Sequence, residues 1–226
     1  MDFFPLYNSV RISLISTIIT FFVGIFAAYY VVKLPRFLKG LCDTVFTIPL
    51  VLPPTVVGFL ILTVISPKSA FGSWLSECFG LVVTMKWYAS VIAVCIISFP
   101  LMYRTARSSF EAFDKNLIFA GKTLGKSNTY IFWRIIMPNC KSGIIAGLVL
   151  SFARGLGEYG ATSMVSGYIA NKTATISTTV AHLWQINQDS EAMKWVLVNL
   201  AISFVVMFAV NIFEKQTRRK SARGGA

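Results

Sequence analysis

Residues 12–32 read ISLISTIITFFVGIFAAYYVV, an apolar run without a charged side chain. The core of a bilayer is about 30 Å thick, and roughly 20 apolar residues in a helix cross it. Further runs meet or nearly meet that length at 45–65, 87–103, 144–165 and 195–213. Because backbone polar groups in lipid must be satisfied within the protein, these runs predict helices. The sequence therefore predicts an all-α membrane protein with about five transmembrane helices.

The composition supports a membrane protein over a soluble or nucleic-acid-binding one. Hydrophobic residues make up 55% of the chain and charged residues only 13%, against about 25% charged in soluble domains. The net charge of +12 would suit nucleic acid only on a folded, water-facing surface. Here the cations lie between apolar runs, so we expect a lipid environment and no nucleic acid.

The distribution of lysine and arginine predicts the orientation. Segments 33–40, 104–141 and 214–226 fall on one side of a five-helix topology and carry fifteen of these cations, whereas the other side carries five. The positive-inside rule then places the N-terminus outside and the C-terminus in the cytoplasm. The cations near the first run mainly follow it, which argues against a cleaved signal peptide.

No catalytic or metal-binding pattern is present in the sequence. It has no phosphate-binding P-loop, so it has no ATPase site of that kind. The single histidine and the four cysteines, none in a C-x-x-C pair, do not form a metal motif. We expect a chain that is not an enzyme and binds neither a metal nor a cofactor of its own.

Segment 108–140 predicts two short helices between the third and fourth apolar runs. Asp114 is a plausible N-cap of the first, and Gly125 a plausible residue just past its end. Ser127 or Asn128 can cap the second, which Pro138 is expected to end. Its predicted apolar face consists of Ile131, Phe132, Ile135 and Ile136.

Two interpretations of this segment remain open. It is either an amphipathic hairpin on the lipid surface or a docking surface for a cytoplasmic partner. The small residues Ala120 and Gly121 would allow the backbone of another protein to approach closely.

Residues 152–162 read FARGLGEYGAT and place ionisable residues within an apolar run. Arg154 and Glu158 are four residues apart, so on a helix they share a face and can pair. Gly155, Gly157 and Gly160 allow another helix or a solute to approach. The pair either locks helix packing or faces a water-filled path, where Arg154 attracts an anion.

Residues 48–58 read IPLVLPPTVVG and place three prolines in the second run. Pro49, Pro53 and Pro54 each remove a backbone donor and clash with the preceding turn, so the helix must bend or break. The result is either a packing kink or a break that lines a pore, as in transporters with discontinuous helices.

Residues 119–125, FAGKTLG, and residues 135–138, IIMP, resemble the cytoplasmic signature of bacterial ABC-importer permeases. That signature reads E-A-A-x-x-x-G, followed by I-x-L-P. Phe119 stands in place of its Glu, Gly121 in place of its second Ala, and Met137 in place of its Leu.

Two further stretches are similar to the molybdate permeases of this family. Residues 50–59, LVLPPTVVGF, resemble their second-helix motif, and residues 152–162 resemble F-A-R-A-L-G-E-F-G-A-T. Gly155 replaces the usual Ala and Tyr159 the usual Phe. Sulfate and tungstate permeases carry related versions.

The resemblance implies one permease domain, residues 1–226, in a bacterial or archaeal plasma membrane. It implies a homodimer with one central path, two copies of a separate ATPase subunit that holds ATP and Mg, and an extracytoplasmic oxyanion-binding protein. We call residues 108–140 the coupling segment. The residues expected to contact the ATPase subunit are Phe119, Ala120, Gly121, Leu124, Gly125 and Pro138, and those expected in the path or gate are Pro53, Pro54, Thr55, Arg154, Gly157, Glu158 and Thr162.

The sequence predicts a permease subunit for a tetrahedral oxyanion, foremost molybdate, with tungstate or sulfate as alternatives. A different class of function is a passive anion channel or an ion-coupled carrier that uses Arg154 and Glu158 as coupling groups. A membrane scaffold without transport is the third possibility.

Overall fold

The computed structural model describes residues 2–223, with side chains described for residues 2–208. The cations predicted in the tail after residue 214 lie outside the described side chains. All regular secondary structure in the described residues is helical.

Four helical spans are long and apolar enough to cross a membrane, and a bent pair of helices supplies a fifth. This confirms the prediction of an all-α protein with about five spans. The straight spans are α1 (Phe4–Val31), α5 (Trp87–Glu111), a continuous run from Asn128 to Leu156, and the apolar part of α11 (Asp189–Arg223).

The bent span consists of α2 (Arg36–Val51) and α3 (Pro54–Ile65), whose axes differ by 109°. Leu52 and Pro53 both have extended backbones, with ψ of 142° and 136°. Each precedes a proline, and a residue before proline is pushed out of the helical region. The predicted break is therefore confirmed and lies at Leu52–Pro53, whereas Pro49 is accommodated inside α2.

The run from Asn128 to Leu156 corrects the predicted role of Pro138. It consists of α7 (Asn128–Ile131), a π-helical segment (Phe132–Ile136) and α8 (Met137–Leu156). Pro138 lies in the first turn of α8 and does not end the helix. A π-helical turn shifts the hydrogen-bond register, which accommodates the missing proline N–H.

Helices α1, α5 and α8 form the centre of the bundle. A hydroxyl-bearing stripe on α1 is buried within this bundle, at Ser13, Ser16, Thr17 and Thr20. The Ser16 hydroxyl donates to the Val91 carbonyl at 3.2 Å, and Thr20 donates to the Ser16 carbonyl at 2.7 Å. Small residues of this kind allow close helix packing in membranes.

Shorter helices complete the chain. They are α4 (Ala70–Phe79), α6 (Asn116–Thr123), α9 (Gly160–Val165) and α10 (Ile176–Gln185). The start of α1 is fixed to the loop before α10, because the Asn8 side-chain amide donates to the carbonyls of Thr173 and Ala174 at 3.2 and 3.0 Å.

Candidate functional site

Two of the helix breaks in the described part of the chain lie side by side. The first separates α2 from α3, and the second, at residues 157–159, separates α8 from α9. Residues 52–55 and 157–160 together are called the helix junction. A Cβ built on Gly160 would lie 2.9 Å from the Pro54 Cβ and 3.1 Å from the Thr55 backbone nitrogen. The two helices that leave the breaks therefore start in direct contact.

The contact continues along α3 and α9. A Cβ built on Gly58 would lie 2.7 Å from the Ala161 Cα and 3.0 Å from the Ala161 carbonyl oxygen. Ala161 itself is fully buried. Neither position has room for a larger side chain, so Gly58 and Gly160 set the separation of the two helices.

Glu158 lies at the centre of the second break and is almost fully buried. Its Oε1 accepts a hydrogen bond from the Ala161 backbone N–H at 2.8 Å, and its Oε2 lies 2.6 Å from Nη1 of Arg154. The predicted pairing of Arg154 and Glu158 is confirmed. The predicted continuous helix across 144–165 is wrong, because α8 ends at Leu156 and α9 begins at Gly160. The Glu158 carboxylate satisfies one of the N–H groups left unpaired at the start of α9.

The other residues predicted to line the path lie within the helix junction or next to it. The buried Thr162 hydroxyl donates to the carbonyls of Tyr159 and Glu158 at 3.0 and 3.2 Å, so it is satisfied by the backbone at the start of α9. Pro53, Thr55 and Gly157 are exposed. The structure thus brings the predicted path residues from distant parts of the chain to one place.

Arg154 is accessible enough to contact a solute while it pairs with Glu158. Its side chain keeps 32% of its surface exposed, whereas that of Glu158 keeps 2%. A guanidinium has several N–H donors and no acceptor, and the contact to Glu158 occupies only part of them. The outer donors of Arg154 can therefore hydrogen-bond an oxyanion while the buried carboxylate compensates its charge.

Open space adjoins the junction. Tyr159, next to Glu158, lines a cavity of about 450 Å³ with residues of α10 and α11, among them Val180, Trp184 and Leu200. A solute that reached this cavity would meet the second break from one side.

The coupling segment has a well-formed turn between its helices. Gly125 adopts a left-handed backbone with φ of 68°. Its N–H bonds the Lys122 carbonyl at 2.9 Å, and the Lys126 N–H bonds the Gly121 carbonyl at 3.1 Å. This pair of bonds is a Schellman motif, so the prediction that Gly125 follows the end of the helix is confirmed.

Hydrogen bonds from polar side chains fix the chain near both helix starts in the coupling segment, but only the second helix has a side-chain N-cap. The Ser127 hydroxyl accepts from the Tyr130 N–H at 3.2 Å, so Ser127, and not Asn128, caps the second helix. The N-cap of α6 is Lys115, which makes no side-chain cap, so the prediction that Asp114 caps this helix is wrong. The Asp114 carboxylate instead accepts a hydrogen bond from the N–H of Asn116, the first residue of α6, at 2.9 Å. The local conformation is therefore determined by the segment's own polar residues.

The tip of α6 presents apolar side chains outward. Phe119 is 61% exposed and Leu124 is 74% exposed, with Ala120 exposed between them. Gly121 is buried, and a Cβ there would lie 3.1 Å from side-chain carbons of Ile131 and Ile135. In this structure, the close approach that Gly121 permits is between α6 and the following helix.

A set of contacts between α2 and α5 was missed by the sequence interpretation. We call it the α2–α5 ladder, and it consists of Lys39, Asp43 and Phe46 on α2 with Phe99, Tyr103, Arg107 and Glu111 on α5. The α5 members recur every four residues, which places them on one helix face. That spacing was the available signal, but α2 was not identifiable as its partner from local sequence.

The ion pairs and hydrogen bonds of the ladder, which we call its polar rungs, lie towards the C-terminal end of α5. Lys39 pairs with Glu111, and Asp43 pairs with Arg107 and accepts a hydrogen bond from the Tyr103 hydroxyl. Arg107 Nε also lies 3.2 Å from Glu111 Oε1. Two cations and two carboxylates thus form one network.

Aromatic rungs continue the ladder. The ring of Phe46 meets Tyr103 and Phe99 edge to face, with centroids 5.2 and 5.4 Å apart. Edge-to-face pairs of this kind stabilise a contact beyond the area they bury.

Comparison with known proteins places these features in a family. Residues 20–220 match the model of the binding-protein-dependent transport system inner membrane component. The chain is 33% identical to the molybdenum transport system permease protein ModB of Escherichia coli K12, over 95% of this chain and 94% of that one. It is 28% identical to the sulfate transport system permease protein CysT of the same strain, over 93% of this chain and 77% of that one.

The fold has counterparts among solved structures. The chain superposes on a bacterial alginate ABC transporter, crystallised in complex with an alginate pentasaccharide-bound periplasmic protein, with a TM-score of 0.73. That comparison covers 93% of this chain and 77% of the other at 16% identity, so it shows the fold alone. The chain is a multi-pass membrane protein that belongs to the family of inner membrane permease components of binding-protein-dependent transport systems.

Proposed function

We propose that this chain is the permease subunit of an ATP-driven importer for a tetrahedral oxyanion, and that the oxyanion is molybdate. The proposal that the substrate is molybdate rests on the 33% identity to a molybdenum permease across 95% of the chain. The sulfate permease is less similar, at 28%, so sulfate is the second candidate and tungstate, an anion of the same shape and charge, the third.

The helix junction is proposed as the part of the path that the anion passes. Backbone breaks in a membrane protein are tolerated where they are buried in protein or line a wet cavity. Here Arg154 offers partly exposed donors beside such a break, and Glu158 holds them in place. Two copies of the chain would place two junctions around one central path.

The coupling segment is proposed as the cytoplasmic docking site of a separate ATPase subunit. It exposes Phe119 and Leu124 at the end of a short helix whose turn is fixed by Gly125. Exposed apolar side chains rimmed by polar residues mark interaction sites. ATP and Mg are bound by that partner, and an oxyanion-binding protein delivers cargo at the opposite face.

The function is tested by reconstitution. The chain, its ATPase subunit and its binding protein are placed in proteoliposomes, and molybdate uptake is measured with and without ATP. Uptake that requires ATP and all three proteins is expected. Anion flux through the chain alone, without ATP, would instead identify a passive channel.

Docking is tested with a matched pair of variants. Gly125→Asp places a carboxylate in the docking surface at a left-handed position with open space around it. Gly80→Asp makes the same change at φ of 63°, also in open space, after α4. We expect the first variant to lose copurification with the ATPase subunit and the second to keep it. Equal copurification of both would refute the docking site.

A further inference from the structure

We propose that the α2–α5 ladder transmits movement of the coupling segment to the helix junction, with Asp43, Arg107 and Glu111 as positioning residues. This rests on the proposed function, because it assigns a source of movement to the coupling segment. The ladder would make α2 follow the end of α5, and the first helix break follow α2.

One end of the ladder adjoins the coupling segment. Glu111 is the last residue of α5, and α6 begins at Asn116. The side chain of Phe110, next to Glu111, packs in one buried cluster with Ile131 and Phe132 of the second coupling helix. A displacement of α6 would therefore be transmitted to the polar rungs through packed side chains.

The other end of the ladder leads to the helix junction. Helix α2 runs from Lys39 and Asp43 to Val51, immediately before the break at Leu52–Pro53. Past the break, Pro54 contacts Gly160 at the start of α9. Movement of α2 along its axis would therefore displace the first break relative to the second.

Helix α2 has few other attachments within the described chain. Each of its residues keeps some exposure, and Phe37 and Val51 at its two ends are 82% and 86% exposed. The ion pairs and aromatic pairs that join α2 to the rest of the described bundle all belong to the ladder. The position of α2 thus depends on the ladder.

The polar rungs suit a contact that must change partners. Arg107 contacts both Asp43 and Glu111, and Glu111 contacts both Arg107 and Lys39. Their side chains are 22% to 35% exposed, so water assists any exchange. A shift of α2 can therefore re-pair the two cations and two carboxylates without leaving one buried and alone. Packed elements with two discrete arrangements are the physical basis of such transmission.

The first experiment measures anion transported per ATP hydrolysed by the complete complex. Asp43→Asn and Glu111→Gln are each expected to lower this ratio about fivefold, as for loss of an ion pair of modest exposure, while ATP hydrolysis continues. The control is Glu191→Gln, which removes an ion pair to Lys194 within α11 and joins no two helices. A loss of folded protein would lower both activities together, so the ratio separates transmission from stability.

A double variant tests whether two rungs act as one contact. Lys39→Gln and Glu111→Gln, combined, are expected to lower the ratio no further than the more severe single variant. Independent, multiplicative losses, or an unchanged ratio in Asp43→Asn, would overturn the proposal.

A second measurement decides the proposal without transport. Spin labels at Val51→Cys on α2 and Ile92→Cys on α5, with the four native cysteines replaced by serine, report the distance between the two helices. We expect Asp43→Asn to broaden the distance distribution and Glu191→Gln to leave it unchanged. An unchanged width in Asp43→Asn would overturn the ladder. Failure of ATP-driven uptake in the unaltered complex would overturn the proposed function, and the spin labels would still decide the ladder.

Discussion

The helix junction and the coupling segment both depend on glycine, but for opposite reasons. At the junction and in the α3–α9 contact that continues it, Gly160 and Gly58 lie where an added Cβ would be 2.9 and 2.7 Å from atoms of the facing helix. In the coupling segment, Gly125 has no described atom within 4 Å of an added Cβ, but its φ is 68°. The junction uses glycine for space and the coupling segment for backbone conformation. The first is a packed interior and the second a preformed outer surface.

The largest effect is expected at the packed interior. Gly58→Ala forces a methyl group against the Ala161 backbone and should destabilise the fold by about 3 kcal/mol. Gly40→Ala, on α2 with no described atom within 4 Å of the new Cβ, should be neutral or stabilise by about 0.5 kcal/mol. Thermal unfolding in detergent measures both. Equal stability of the two variants would show that α3 and α9 are not in close contact.

The ion pair at the junction should rank next. Glu158→Gln leaves Arg154 without its partner and should cost about 2 kcal/mol, less than a fully buried pair because Arg154 is partly exposed. Glu191→Gln, in the exposed pair with Lys194, should cost at most about 0.5 kcal/mol. If the two variants unfold at the same temperature, the buried pair does not hold the second break.

The outer surface should respond in binding and not in stability. Leu124→Asp is expected to weaken association with the ATPase subunit by about 2 kcal/mol, as for an apolar contact residue at an interface. Its thermal unfolding should match that of the unaltered chain, because Leu124 is 74% exposed. The same change at Phe79, the last residue of α4 and 62% exposed, is the control that should leave association intact. Loss of stability in Leu124→Asp would contradict the description of this surface as preformed and external.

The smallest effect tests backbone conformation. Gly125→Ala meets no described neighbour but must adopt a positive φ, which should cost about 1 kcal/mol, whereas Gly125→Asn should cost less. Unfolding of the two variants by denaturant gives the difference. If alanine were tolerated as well as asparagine, the left-handed turn would not be needed.

Local signals in the sequence predicted much of the molecule. The apolar runs predicted the spans, the Pro53–Pro54 pair predicted the first break, and Gly125 and Ser127 predicted their caps. Each of these depends on residues within a few positions of one another. The spacing of Arg154 and Glu158 likewise predicted their pairing.

Contacts between distant segments could not be predicted in this way. The second break, at residues 157–159, contains no proline, and its stabilisation by Glu158 depends on the fold. The passage of the helix through Pro138 depends on the preceding π-helical segment. The pairing of Asp43 with Arg107 joins α2 to α5, which no local pattern specifies.

A separate ATPase subunit is proposed to bind the chain at the exposed end of α6. This binding is tested most directly by a photocrosslinking amino acid introduced at Leu124 in cells that produce the complete transporter. A covalent adduct with the ATPase subunit is predicted from position 124, and none from position 79 at the end of α4. An adduct from position 79 with none from position 124 would show that the ATPase subunit does not bind the end of α6.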